Sequence, residues 1–351
     1  MTVLRIRGYA LPGGETVDLY ADGDRWTAEP VRGAELVGEG WLLPGLVDVH
    51  THPGMADEPG SPFDERLLRD DLHHHVAAGV TMIRSPGLAG DPPTWFGHDP
   101  DVPRAVHAGP WIAQHGQFFD GWGERVELAS LPGVAAEQAA RTGWTKIIAD
   151  WGLDDPPVPV DVLAEVVTEV HAVGGRVAVH SQQAAGGAIA VAAGVDSLEH
   201  GMCLSTDLLS QMAEQGTALT PTLVAITSGL REPRHGSISD RERWYLKGAR
   251  AHAALSAAAF EAGVTVLAGT DERPHGRVAD EIRALVAAGL PPDAALGAGS
   301  WTARGYLGLP GLAENAPADA VVYDEDPRAD LDQLENPAAV VLRGKVAYRR
   351  P

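Results

Sequence analysis

The chain has 351 residues, a formal charge of −21 and a hydrophobic content of 44%. That length suits a large domain plus a small one, and the acidic balance excludes a nucleic-acid partner, whose phosphates need a basic surface. No apolar run approaches the ~20 residues of a membrane span, and the single cysteine, Cys203, excludes an internal disulfide and a cysteine-built zinc site.

The first 43 residues read as all-β. Thr2–Arg7, Thr16–Tyr20 and Arg25–Ala28 are short alternating runs, separated by turns at Pro12-Gly13-Gly14 and Asp22-Gly23. The opening run alternates like a strand and lacks the apolar centre of a signal peptide, so a cytoplasmic location is expected. A sheet this small needs a partner. The runs Ala320–Tyr323 and Val340–Tyr348 supply one, predicting a small β-sandwich built from residues 1–43 and 316–351.

Between these ends the pattern alternates strand and helix. The strands are Leu46–Val49, Val80–Arg84, Gly109–Ala113, Lys146–Ala149, Arg176–His180, Asp196–His200, Ala218–Leu223 and Val264–Ala268. The helices are Asp64–Ala78, Ala135–Thr142, Asp161–Val173, Ala184–Ala193, Thr206–Glu214, Arg241–Glu261 and Asp280–Ala288. This alternation implies a parallel sheet, and eight units over residues 44–315 suit a (β/α)8 TIM barrel. An open doubly wound sheet would carry a glycine-rich phosphate loop after its first strand; here His50-Thr51-His52 stands in that place.

In such a barrel, chemistry sits at the C-terminal ends of the strands. The first strand ends in His50 and His52, which share one face about 6–7 Å apart and suit one divalent metal. The fifth ends at His180, the sixth at His200 and the eighth at Asp271. The fourth carries Lys146, one of three lysines, between Trp144 and Ile147-Ile148. A buried lysine needs a partner or must lose its charge. Each residue alone has a structural reading, since a strand-terminal histidine is often simply hydrogen-bonded and Asp271 could cap a helix. Together they specify a metal site.

This set resembles the amidohydrolase superfamily, which places Asp-x-His-x-His on strand one, Lys on four, His on five and six, and Asp on eight. The phrases Pro44–His52, Ala193–Gly201, Ala268–Asp271, His275-Gly276 and Glu281-Ile282-Arg283 look like its imidazolonepropionase-like and Xaa-Pro dipeptidase-like branch. The resemblance implies two divalent metal ions, most readily Zn2+, with Mn2+, Co2+ or Fe2+ as alternatives. His50, His52 and Asp271 would bind one and His180 and His200 the other, with Lys146, carboxylated by CO2, bridging both. It further implies hydrolysis of an amide, lactam or ester by a metal-bridging hydroxide, Asp271 acting as general base and acid. The rivals are a one-metal deaminase of an amino-heterocycle and a non-catalytic metal-binding homologue. Deaminases of this kind place Glu three residues after the strand-five His, where this chain has Gln183, and non-catalytic descendants lose ligands that this chain retains.

The loops after the strands set specificity. His115 falls where related hydrolases place a histidine near the substrate carbonyl and is a candidate catalytic contact. Gln117, Trp122, Trp151, Arg231 and His235 are candidate substrate contacts, with Arg234 beside them. Arg84 either faces a substrate carboxylate or forms an ion pair beneath the barrel mouth. The stretch Pro221–Thr227 lacks the tyrosine that Xaa-Pro dipeptidases place there, which argues against a dipeptide. His73-His74-His75 lies within a helix, where consecutive side chains fan apart, and reads as helix surface. Cys203 has no assigned role. The expected partner is a small-molecule substrate, with neither nucleic acid nor membrane, and a homo-oligomer is allowed.

Overall fold

The computed structural model describes residues 3–56, 58, 60–61, 63–230 and 238–351; Arg231, Arg234 and His235 lie outside them. The fold is α/β. Four strands open the chain: β1 (Leu4–Ala10), β2 (Glu15–Asp22), β3 (Arg25–Thr27) and β4 (Glu35–Leu43). The first three match the alternating runs. β4 is hidden in the sequence because Gly38 and Gly40 interrupt its pattern. Gly40 lies beside Gly8 in the parallel β1–β4 ladder, and a Cβ on Gly8 would stand 1.9 Å from the Gly40 carbonyl oxygen. Only glycine permits that approach.

Nine short strands follow: β5 (Leu46–Asp48), β6 (Val80–Ser85), β7 (Arg104–His107), β8 (Ile112–Gln114), β9 (Glu124–Val126), β10 (Trp144–Ile148), β11 (Arg176–Ser181), β12 (Ser197–His200) and β13 (Ala218–Thr220). β5, β6 and β7 form one parallel sheet, and β9-β8-β10-β11-β12-β13 form another. β6, β10 and β12 are buried along their whole length, as expected of parallel strands covered on both faces. The covering helices include α1 (Glu65–Ala77), α2 (Leu131–Thr142), α3 (Val160–Ala172) and α4 (Ala184–Ala193). The Asp64 carboxylate accepts from the Arg66 and Leu67 amides at 2.8 and 3.0 Å, so it sets where α1 starts.

Two predicted strands differ. The third, expected over Gly109–Ala113, is realised as two strands: β7, upstream of the expected bounds, pairs with β6, and β8 pairs with β10. Gly109, at φ +75°, and Pro110, which has no N–H, break the ladder between them. Val264–Ala268 forms no regular strand but is held from both sides. The Leu219 amide donates to Thr265 O at 2.9 Å and the Val49 amide to Ala268 O at 3.0 Å.

The chain closes with β14 (Ala320–Tyr323), β15 (Ala339–Leu342) and β16 (Lys345–Arg349). Arg343 and Gly344, both at positive φ, turn the predicted single run 340–348 into a hairpin. β14 pairs antiparallel with β4, so both ends of the chain join one seven-stranded sheet ordered β16-β15-β14-β4-β1-β2-β3. Ile6, Leu19, Trp26, Leu42, Val322 and Val341 form its buried core. Asp319, just before β14, is buried and ion-paired to Arg104 of β7 at 2.8 Å and to Arg304 at 3.3 Å, which ties this sheet to the parallel strands.

Candidate metal centre

The ends of the parallel strands bring the six conspicuous side chains to one cavity. His50 and His52 follow β5, Lys146 lies in β10, His180 in β11, His200 ends β12, and Asp271 follows Val264–Ala268; all six line the same cavity of about 220 Å3. His50 Nε2 stands 3.8 Å and His52 Nε2 3.2 Å from Asp271 Oδ1, and His200 Nε2 is 3.9 Å from Asp271 Oδ2. The His50 ring centroid lies 5.0 Å from those of His52 and His200, and the His180 centroid lies 4.7 Å from that of His200. Donor atoms of His50, His52 and Asp271 all fall within 4.8 Å of one another.

A second layer aims these rings, and the sequence did not disclose most of it. His50 Nδ1 meets Glu199 Oε2 at 2.7 Å, His52 Nδ1 meets Gly87 O at 2.6 Å, and His200 Nδ1 meets Thr222 Oγ1 at 2.7 Å. Each contact leaves the Nε2 atom turned toward the centre, the usual way a ligating imidazole is oriented. Asp48 accepts from the His50 amide at 3.2 Å and from the Thr270 amide and hydroxyl at 3.0 and 2.6 Å, locking strand one to the Gly-Thr-Asp turn. Glu281 accepts from the Leu223 and Val224 amides, each at 2.8 Å, and so holds the residues next to Thr222. His200, Thr222, Asp271 and the cavity-lining Phe118 all have positive φ, a conformation that costs non-glycine residues and concentrates at functional sites.

The electrostatics suit ligands held ready. Burial, followed by the neighbouring Lys146 charge, lowers the His180 pKa to about 3, and burial lowers that of His50 to about 4, so both rings are neutral near pH 7. Burial opposes ionisation of Asp271, but His50, His52 and Lys146 outweigh it and draw its pKa down to about 2. Burial brings Lys146 down to about 8. His180 Nε2 is buried with no hydrogen-bond partner among the described residues. An unpaired imidazole nitrogen near two further histidines and a carboxylate is the donor set a divalent transition metal takes. The residues therefore fit the metal that the sequence pattern implied.

Of the other predicted contacts among the described residues, Arg84, His115 and Gln117 fall outside the cavity. Arg84 does not face the cavity: its NH2 holds both Glu199 oxygens at 2.7 and 2.9 Å and its Nε donates to Val49 O at 2.7 Å, all in the interior. Of its two sequence readings, the ion pair is the one realised. His115 is exposed, 3.7 Å from Glu127, and is not among the residues that line the cavity, so the structure does not place it as the expected catalytic contact. Gln117 is buried and spends its amide on Pro156 O at 2.9 Å. Trp122 and Trp151 do line the cavity. His73 and His74 are exposed, but His75 is buried, its Nε2 3.2 Å from Thr51 Oγ1, which corrects the reading of the whole tract as surface. Cys203 is half-buried and lines a separate, mostly apolar cavity.

The amidohydrolase family model matches residues 102–347. A protein of Mycobacterium tuberculosis, itself uncharacterized, is 38% identical over 97% of this chain and 95% of its own length. The ochratoxinase of Aspergillus niger is 30% identical over 88% of this chain and 76% of its own length. Among solved structures, an Xaa-Pro dipeptidase with bound methionine superposes with a TM-score of 0.82 at 20% identity, covering 99% of this chain and all of that one. The A. niger ochratoxinase structure superposes with a TM-score of 0.82 at 21% identity, covering 99% and 96%. The chain therefore belongs to the amidohydrolase family. It is an enzyme, a metal-dependent hydrolase.

Proposed function

We propose that this enzyme cleaves a C–N bond of a small-molecule amide or lactam, with a C–O ester as the related alternative, at a two-metal centre. In this reading residues 44–315 form a (β/α)8 barrel with Val264–Ala268 as its eighth strand, and residues 1–43 and 316–351 form the small β domain. The observation that carries the proposal is the convergence on one cavity of all six side chains that the family pattern assigns to the metals. His50, His52 and Asp271 would hold one ion and His180 and His200 the other, with Lys146, once carboxylated, as the ligand they share. Zn2+ suits this imidazole and carboxylate set, with Mn2+, Co2+ and Fe2+ as alternatives. Bound metal supplies carbonyl polarisation and a water acidified toward neutral pH. Asp271, ionised and about a quarter exposed to the cavity, takes the proton of the attacking water and delivers it to the leaving nitrogen. A small molecule is the partner and the cytoplasm the setting. Among the described residues, no helix is long and apolar enough to cross a membrane.

The experiment is metal per chain by plasma mass spectrometry on protein purified without chelator. Close to two equivalents supports the proposal. Close to one favours the deaminase, and none after supplying Zn2+ and bicarbonate removes the enzyme centre.

Lys146 supplies two further expectations. Lys146→Ala loses the second metal and regains part of it when short carboxylic acids are added; firm retention of two metals without added acid overturns the bridging carbamate. Only a neutral amine captures CO2. With a pKa near 8, about a tenth of Lys146 is neutral at pH 7, against about 0.03% for an ordinary lysine. At fixed dissolved CO2, the initial rate of metal uptake by the stripped protein should therefore rise roughly tenfold from pH 6 to 7 and level off above pH 8. A flat profile across that range overturns the assignment.

A further inference from the structure

The cavity has a chemical character beyond its metal-holding end. Five aromatic side chains, Trp111, Phe118, Phe119, Trp122 and Trp151, make up most of its remaining wall, and among the described lining residues outside the cluster the one polar side chain is Gln182. The rings pack on one another: Trp111–Phe118 centroids are 5.1 Å apart, Phe118–Trp151 5.0 Å, Phe119–Trp151 4.7 Å and Phe119–Trp122 5.3 Å. Edge-to-face angles of 73–78° join Phe118 and Phe119 to Trp151 and Phe119 to Trp122. Interlocked rings of this kind are a fixed wall rather than a set of independent rotors.

The wall reaches the reacting centre itself. The Trp111 centroid lies 4.9 Å from that of His52, and the Trp151 centroid lies 5.4 Å from that of His180. A group occupying the box is therefore within one or two bonds of whatever those histidines help activate. An empty apolar cavity of about 150 Å3 takes up benzene, so about 220 Å3, part of it over the metal-binding side chains, holds one six-membered ring and its carboxamide. An anionic substituent would find no arginine there among the described lining residues.

We propose that the substrate is a monocyclic aromatic amide, its uncharged ring attached at or next to the scissile amide group and seated in the box formed by Trp111, Phe118, Phe119, Trp122 and Trp151. This rests on the hydrolase reading for the position of the scissile bond. The ring belongs either to the acyl half, as in a benzamide, or to the leaving amine, as in an anilide.

The test compares matched pairs on the metal-loaded enzyme: benzamide with cyclohexanecarboxamide, and acetanilide with N-cyclohexylacetamide. Ring-to-ring contact beyond area burial predicts a preference of roughly 3–10-fold in kcat/KM for the aryl member of one pair, and that pair identifies which half carries the ring. Trp151→Leu should abolish the preference, and Phe119→Ala, at a side chain exposed enough to be replaced without unfolding, should reduce it. Equal rates for aryl and cyclohexyl members overturn the aromatic site while leaving a hydrolase. If neither pair is hydrolysed, quenching of tryptophan fluorescence decides. Benzamide binding more tightly than cyclohexanecarboxamide, with the difference lost in Trp151→Leu, upholds the aromatic site and overturns the amide as the bond cleaved there. Equal binding rejects the site.

Discussion

Asp271→Asn is expected to retain much of its metal and lose turnover by about 10²–10⁴-fold, the range that a positioned general acid–base contributes. Asparagine is the appropriate replacement for two reasons. Asp271 sits at φ +47°, where Asn is tolerated better than most residues, so the turn should survive. The amide oxygen can still face His52 Nε2, which lies 3.2 Å from Oδ1 in the wild type. What the amide lacks is a lone pair basic enough to carry a proton. The wild-type carboxylate, held near pKa 2 by His50, His52 and Lys146 against its burial, is ionised at every pH where the protein would be assayed. Activity measured alongside metal content separates proton transfer from metal loss. Near-normal kcat with full metal removes Asp271 from the proton path; loss of metal in step with activity makes it a ligand only.

The six side chains that converge on the cavity were legible because each is chemically conspicuous: five stand at the ends of apolar runs, a position fixed by local pattern, and Lys146 interrupts one. Glu199 was not legible for the same reason. It stands beside His200 in a four-residue strand, and its partner Arg84 is 115 positions away, so only the packing of β6 near β12 shows what it does. Gly87 contributes a backbone carbonyl, which no sequence pattern marks. His75 is different, because a stricter reading of the helix would have found it. Leu68, Asp71, Leu72, His75 and Val76 are the buried stripe of α1 at three- and four-residue spacing, and His73 and His74 fall off it. In the fold, β4 was obscured by its glycines and the divided third strand by Gly109-Pro110. Both are places where close approach or a missing N–H matters more than hydrophobic alternation.

Glu199 carries the second large expected effect, on two observables at once. Its carboxylate is fully buried, takes Arg84 NH2 at 2.7 and 2.9 Å and Ser197 Oγ at 2.5 Å, and meets His50 Nδ1 at 2.7 Å. Burial alone would raise its pKa, yet Arg84, Lys146 and His50 hold it well below the ordinary carboxylate range. Glu199→Ala strands the Arg84 guanidinium, which is itself fully buried, and breaking a buried pair in this way costs about 3–5 kcal/mol. The same variant releases His50 from the contact that fixes its tautomer, and loss of such an orienting carboxylate lowers metal affinity 10–100-fold. The two effects are separable. Arg84→Met combined with Glu199→Leu replaces the pair by apolar side chains of similar size, a change that is often neutral or stabilising. The melting temperature should recover while metal affinity stays low, because His50 Nδ1 still lacks its acceptor. Recovery of both in the double variant would mean that Glu199 serves the centre only through the stability of the strands around it.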